Sequence, residues 1–181
     1  VTRTRMVGLG AVVAVAAVAG CSGGDAPESV AGAADPVAAA QAASQGSGAK
    51  VCALLKTSEV EAVFGTTVKT PEPTDGPIVA NCGFKADGAG FHLVATVSAY
   101  QDKTQGQFDE QKAYQEGNEP VSGLGDEAYA VTSGHETIVS FRQGDRIGEI
   151  AKVYTGSRDE AKTAEDTETM IGLARQMSAR L

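Results

Sequence analysis

Phe91-His92-Leu93-Val94-Ala95-Thr96-Val97-Ser98-Ala99 is the stretch on which the fold turns. Phe91, Leu93, Ala95, Val97 and Ala99 alternate with more polar residues, the period of a strand that buries one face. Asp87-Gly88 supplies a turn before it, and residues 78–84 read as a preceding strand with Ile78, Ala80, Cys82 and Phe84 on one face. Downstream, a helix is expected over 104–116, weakly patterned around Phe108 and Tyr114 and ending near Gly117-Asn118. Three more strands read over 127–132, 136–142 and 146–155. Ser133-Gly134 and Gly144-Asp145 join them as hairpins, which makes this half an antiparallel meander. The expected fold class is therefore α+β, with an antiparallel sheet of about five strands and flanking helices.

Two helices frame that sheet. Ser58 and Glu61 have the spacing of a capping box, Val60, Val63 and Phe64 form one apolar face, and Gly65 ends a helix over 58–64. At the other end Ser157 and Glu160 suggest a second box for a helix over 158–180. Met170, Leu173, Ala174, Met177 and Leu181 recur at helical spacing and should pack on the sheet. A Met-lined groove is the sharper reading of that stripe, and packing is the commoner one.

The N-terminal segment carries an address. Arg3 and Arg5 precede an apolar run over residues 6–19, about 14 residues long, whereas a spanning helix needs about 20. The run closes on Val18-Ala19-Gly20-Cys21, which resembles the lipobox of bacterial lipoprotein signals. That resemblance implies cleavage after residue 20, diacylglyceryl attachment at Cys21 and residence on the outer face of the cytoplasmic membrane, the lipid bilayer being the first partner. Two or more acyl chains anchor stably without a basic patch. Residues 21–50 then read as the lipidated cysteine and a flexible linker of Ala, Gly, Ser and Gln, too poor in apolar bulk to offset its ordering entropy. Its reach is roughly 30 Å. Residues 51–181 form the single domain.

With Cys21 assigned to lipid, Cys52 and Cys82 remain as a pair with one connectivity, and outside the cytoplasm such a pair reads as a disulfide. Closing that loop contributes roughly 3.6 kcal/mol in the chain-entropy model. Charge excludes another class of partner. The chain has 15 Lys and Arg against 23 Asp and Glu; loss of Arg3 and Arg5 leaves 13 against 23, a net charge of −10. So acidic a domain repels phosphate backbones, and nucleic acid is not expected as a partner.

Catalytic patterns are missing from the domain's sequence. His92 and His135 stand outside any metal-ligand spacing, and there is no Gly-x-Ser-x-Gly elbow, His-Glu-x-x-His site or calcium loop. No catalytic residue, metal or cofactor is expected. One stretch stands out: Val121-Ser122-Gly123-Leu124-Gly125-Asp126-Glu127-Ala128-Tyr129. Its glycines suit a tight turn into a strand with Leu124 buried. The functional alternative is that Gly123, Gly125, Asp126 and Tyr129 line a ligand pocket.

Taken in order, these motifs form a recognisable series. The lipobox and linker, Cys52-Ala53-Leu54-Leu55, Thr57-Ser58-Glu59-Val60 with Phe64-Gly65, Asn81-Cys82-Gly83-Phe84, residues 123–129 and Leu173-Ala174-Arg175 resemble actinobacterial secreted lipoproteins of an uncharacterised domain family. The plan is similar to the extracellular sensor domains of some mycobacterial receptor kinases and to the Mog1/PsbP-like α+β fold. The resemblance implies a cell-envelope lipoprotein with a disulfide and brings no catalytic residues with it. The function expected is a non-catalytic ligand-binding or sensing module serving an envelope ligand or membrane-protein partner. A structural or accessory subunit of an envelope complex is the alternative, and an enzyme the third reading.

Overall fold

The structure, a computed structural model, describes residues 47–156 and 163–181. The expectations for the signal segment, Cys21, the linker up to residue 46 and the Ser157 and Glu160 box lie outside the described residues. Within them the chain forms four α-helices and one antiparallel sheet of seven strands, so the α+β class holds while the count of five strands falls short. In order these are α1 (Gly48–Ala53), α2 (Thr57–Phe64), β1 (Glu72–Thr74), β2 (Val79–Phe84) and β3 (Phe91–Ala99). A 3₁₀ turn at Gln101–Lys103 leads into α3 (Thr104–Tyr114), followed by β4 (Glu119–Pro120), β5 (Glu127–Thr132), β6 (Glu136–Gln143), β7 (Arg146–Tyr154) and α4 (Thr163–Ser178).

The sheet order is β1-β2-β3-β7-β6-β5-β4. Two meanders therefore meet at β3 and β7, which pair in register from Phe91 with Tyr154 to Ala99 with Arg146. The two strands that the sequence pattern missed, β1 and β4, are the sheet's edges, and each contains a proline, Pro73 and Pro120. Proline signals a loop in a sequence and is tolerated in a sheet only at its margin.

Alternation assigns each strand residue to a face. Ala80, Cys82, Phe84, Leu93, Ala95, Ala128, Ala130, Val139, Phe141 and Ile150 point to the side where α1, α2 and α4 lie, and all are buried with Val51, Leu55 and Val60. Met170, Leu173, Ala174 and Met177 of α4 fill this layer as their spacing predicts, joined by Ile171. Each fully buried large side chain contributes about 1.5–3 kcal/mol by leaving water. A smaller core lies on the opposite side, where Phe108 of α3 packs with Tyr129, Val131, Ile138, Ile147 and Ala151. Tyr114, expected beside Phe108, is 79 % exposed instead.

The disulfide expected between Cys52 and Cys82 is formed, with an S–S distance of 2.02 Å. It ties α1 to β2. Helix α1 starts at Gly48, ahead of the boundary drawn at residue 51, and the small residue there has a reason. A Cβ on Gly48 would collide with the Thr74 amide nitrogen and stand 2.8 Å from the Asn81 carbonyl oxygen. The Gly48 N–H donates to Asp75 Oδ1 at 2.6 Å. Composition that reads as linker is here a close approach of helix backbone to sheet edge.

Helix α2 starts one residue earlier than expected, and Glu59, not Glu61, reaches back to accept the Lys56 N–H at 2.8 Å. Glu61 accepts from Val68 N–H instead. Gly65 ends the helix in the left-handed region, φ 68°, as read from the sequence. Glu59 has a second role. Arg180 donates to both its carboxylate oxygens, at 2.7 and 2.5 Å, and to the Leu54 carbonyl oxygen at 2.8 Å, which fastens the C-terminus to α2. That hydrogen bonding, opposed by burial and helped by the Lys56 N–H, holds the Glu59 carboxyl down at about 2. An unfolded glutamate titrates near ~4.3, so this stabilisation is full above that pH and is lost as pH falls toward the folded value. Glu59→Gln is expected to lower stability by about 2 kcal/mol at neutral pH. Urea unfolding should show the gap to the parent narrowing as pH approaches 2.

Candidate functional site

The α3 side of the sheet is only half covered. Helix α3 seats Phe108 on Tyr129, ring centroids 5.4 Å apart, above the β5–β6–β7 half. On the other half, the residues of β2 and β3 that point the same way stay within reach of solvent except Ser98, which is buried. Val79 is exposed, and Asn81, Gly83, His92, Val94 and Thr96 are half-buried.

Where the two halves meet, the register assembles a polar row across the strands. Tyr129 pairs with Ser140, Ser140 with Glu149, Glu149 with Thr96, Thr96 with Asn81, and Asn81 with Thr74. Directly opposed side chains in such a ladder stand about 5 Å apart at Cβ, close enough to act as one lining. Glu149 is half-buried at the centre of this row. Burial pushes its carboxyl above the usual carboxylate range, and the negative charge of Glu136 adds to the rise. The Tyr129 phenol is also raised, by burial first; the nearby Ser140 hydroxyl offsets part of this and the Glu149 charge adds to it. Ser140 is fully buried, yet its Oγ has no partner in hydrogen-bonding geometry. A buried hydroxyl left in that state costs about 1–3 kcal/mol.

Basic groups on this side are paired with other carboxylates, although Arg142 Nε is buried without a partner. Arg142 Nη1 donates to Asp126 at 2.8 Å, and Lys112 Nζ of α3 donates to Glu127 at 2.8 Å. Among the described residues Glu149 has no ion-pair partner. A glutamate flanked by Ile147-Gly148 and Ile150-Ala151 in a central strand is the sequence signal for this site. Alternation alone does not separate it from the other outward polar residues of the sheet.

The stretch singled out from sequence is arranged otherwise. Gly123 and Gly125 both adopt positive φ, 68° and 59°. At Gly125 a Cβ would collide with the Arg142 carbonyl oxygen, so this turn presses its backbone onto β6. Leu124 is buried. The Asp126 N–H donates to Arg142 O at 2.7 Å, and its carboxylate accepts from Arg142 Nη1 and the Gly144 N–H, both at 2.8 Å. Asp126 thus binds two turns together, while Tyr129 lies under Phe108 in the row with Ser140.

A second ionisable cluster sits on the helical side at the first turn of α4. Lys152 Nζ donates to Asp166 Oδ1 at 2.5 Å and lies 4.2 Å from the Phe91 ring centroid, and the Tyr154 hydroxyl donates to the other Asp166 oxygen. Phe91 stacks on Phe64 at 4.6 Å. Each polar group is answered by another, so the cluster reads as a latch between α4 and β7. The two histidines stand apart. His135 is exposed at the β5–β6 hairpin, and His92 pairs with Val153 across the ladder. Among the described residues neither imidazole is joined to a carboxylate, no group of three potential metal ligands occurs and no helix is long and apolar enough to cross a membrane.

No protein-family model, curated protein or solved structure matches this chain. The raised carboxyl at Glu149 has a thermodynamic consequence. A group whose folded pKa lies above its unfolded one destabilises the fold once pH rises through that interval. Glu149→Gln should therefore melt at a higher temperature than the parent at pH 7, and the difference should vanish below about pH 4, where both states are protonated. Calorimetric melts across that range would show it; an unchanged or lower melting temperature at pH 7 would contradict the assignment.

Proposed function

We propose that the domain is a non-catalytic ligand-binding or sensing module of the cell envelope, held at the outer face of the cytoplasmic membrane by acylated Cys21. Its ligand lies on the open half of the sheet's α3 side. The observation that carries this reading is the Glu149 carboxylate, half-buried without an ionic partner among the described residues, in a row with the unpartnered Ser140 hydroxyl. Buried polar groups are nearly always satisfied, and those that are not call for an explanation. Stability alone favours an apolar residue at the centre of a central strand; a recognition surface favours Glu149.

The rest of the domain narrows the choice of surface. One face is filled by α1, α2 and α4, and both edges end in short strands with a proline and an acid, Glu72-Pro73 and Glu119-Pro120. Such edges resist strand addition by another chain. Recognition is left to the open sheet face, which supports the sensing reading over that of an accessory subunit packed edge to edge. The likeness to actinobacterial envelope lipoproteins and receptor-kinase sensor domains is part of the same proposal.

Two experiments test it. Small-molecule fractions of envelope extracts should include some that raise the melting temperature of the protein, by the amount that ligand excess over Kd dictates. Thr96→Arg, which places bulk in the open row, should lose that response while keeping its own melting transition. Equal stabilisation of both proteins, or none of the parent, would count against the site. For the anchor, Cys21→Ala should move the protein from membranes to the soluble fraction and abolish incorporation of labelled palmitate; membrane retention of that variant would overturn it.

A further inference from the structure

Resting on that reading, we infer that the open row binds an organic cation, an aliphatic ammonium whose nitrogen sits against the Glu149 carboxylate and whose hydrocarbon crosses Thr96 between Val94 and Val79. The groups that face the row decide the sign of the ligand. Glu149 of β7 and Glu136 of β6 bring negative charge to this side. The positive groups there, Arg142 of β6 and Lys112 of α3, are bound to Asp126 and Glu127, and at the edge Glu72 of β1 is paired with Lys85. Tyr129 of β5 and His92 of β3 are the other titratable groups that the strands turn to this face. An anion would meet repulsion from two carboxylates, whereas an ammonium meets attraction in a site where partial burial weakens solvent screening.

Hydrogen-bonding capacity agrees with charge. Glu149 presents acceptor oxygens, Ser140 Oγ beside it is buried without a partner, and Thr96 and Asn81 continue the line of oxygens. Of these groups the carboxylate alone can only accept, the hydroxyls and the amide can do either, and an ammonium, which carries only donors, is the complement of the carboxylate. Neighbouring strands are about 4.8 Å apart, so Glu149 and Asn81 are separated by roughly 10 Å, the span of a short alkyl chain with a second polar group. Half-buried Val94, beside Thr96, and exposed Val79, beside Asn81, flank the row on opposite sides, so such a chain passes between two apolar side chains. The mixture of a few convergent polar groups with apolar lining is what small-molecule sites use.

The test uses three probes of one length and different charge: hexylamine, hexanol and hexanoate, titrated into the ¹⁵N-labelled full chain at pH 7. Hexylamine should shift the amides of Val94, Thr96 and Glu149 and bind at least tenfold more tightly than the other two. Glu149→Gln, which the burial argument expects to be no less stable than the parent, should weaken hexylamine at least tenfold. Binding should also weaken as pH falls and the carboxylate is protonated. If hexanol or hexanoate shifts the same amides as strongly, the cation assignment falls while the binding face stands. If none shifts them, the assignment falls, and the extract screen with Thr96→Arg decides the face separately.

Discussion

The ladder between β3 and β7 is the constraint on which the rest of the structure depends. It joins residues as distant in sequence as Phe91 and Tyr154, with nine registered pairs from that one to Ala99 with Arg146. Everything else in the sheet is local: β1–β2–β3 is one meander and β4–β5–β6–β7 another. Closing a non-local pair costs chain entropy that only subsequent burial offsets. Leu93 and Ala95 on β3 and Ile150 on β7 supply that burial on one side, and α4 seals it with Met170, Ala174 and Met177. A slip of one residue in this ladder would turn Leu93 outward and Thr96 inward, so the same register that builds the core also fixes the polar row.

Connections then determine how the two faces differ. After β3 the chain crosses to the far edge through α3, which can cover only the half of the sheet it passes over, and Phe108 anchors it on Tyr129. After β7 the chain returns on the other side, where α4, α1 and α2 together fill the layer. The disulfide from Cys52 to Cys82 and the Arg180 contacts to Glu59 and Leu54 hold the N- and C-terminal helices to this layer. The stabilising devices accumulate on one side of the sheet. The exposed Val79 and the half-buried carboxylate are on the other.

Much of this is legible in the sequence where a single physical rule dominates. Phe91 to Ala99 alternates because one face, with Leu93 and Ala95, is buried more fully than the other, where Ser98 alone is buried, and Met170, Leu173, Ala174 and Met177 recur because one stripe of α4 is buried. Legibility fails where two rules compete. Pro73 and Pro120 report turns in sequence but sit on sheet edges, where a missing N–H costs little. Gly48 belongs to a linker by composition and to a helix by its tight contact with Thr74 and Asn81. Cys52 consequently falls on a helix that composition hides. The glycine-rich turn is the close backbone approach that its composition suggests, while Asp126, a sequence neighbour of both glycines and of Tyr129, is engaged by Arg142 and Gly144. Asp126 precedes the strand and Tyr129 is its third residue, so adjacent residues of one motif take different structural parts.

Glu149 illustrates why sites of this kind escape sequence reading. On β7 it stands between Ile147 and Ala151, both buried on the same face, so the strand's own pattern asks for an apolar residue there. An ionisable group at such a position raises the free energy of the native state by its lost hydration, and Glu136 adds repulsion rather than relief. Lys152, on the same strand but turned to the other face, shows the alternative treatment of a buried charge: Asp166 pairs with it and the Phe91 ring lies against it. One strand therefore carries two ionisable groups withdrawn from water, one paired within the fold and one without an ion pair among the described residues. The contrast between them, rather than the presence of either alone, is what the proposal of a ligand site on the α3 side of the sheet rests on.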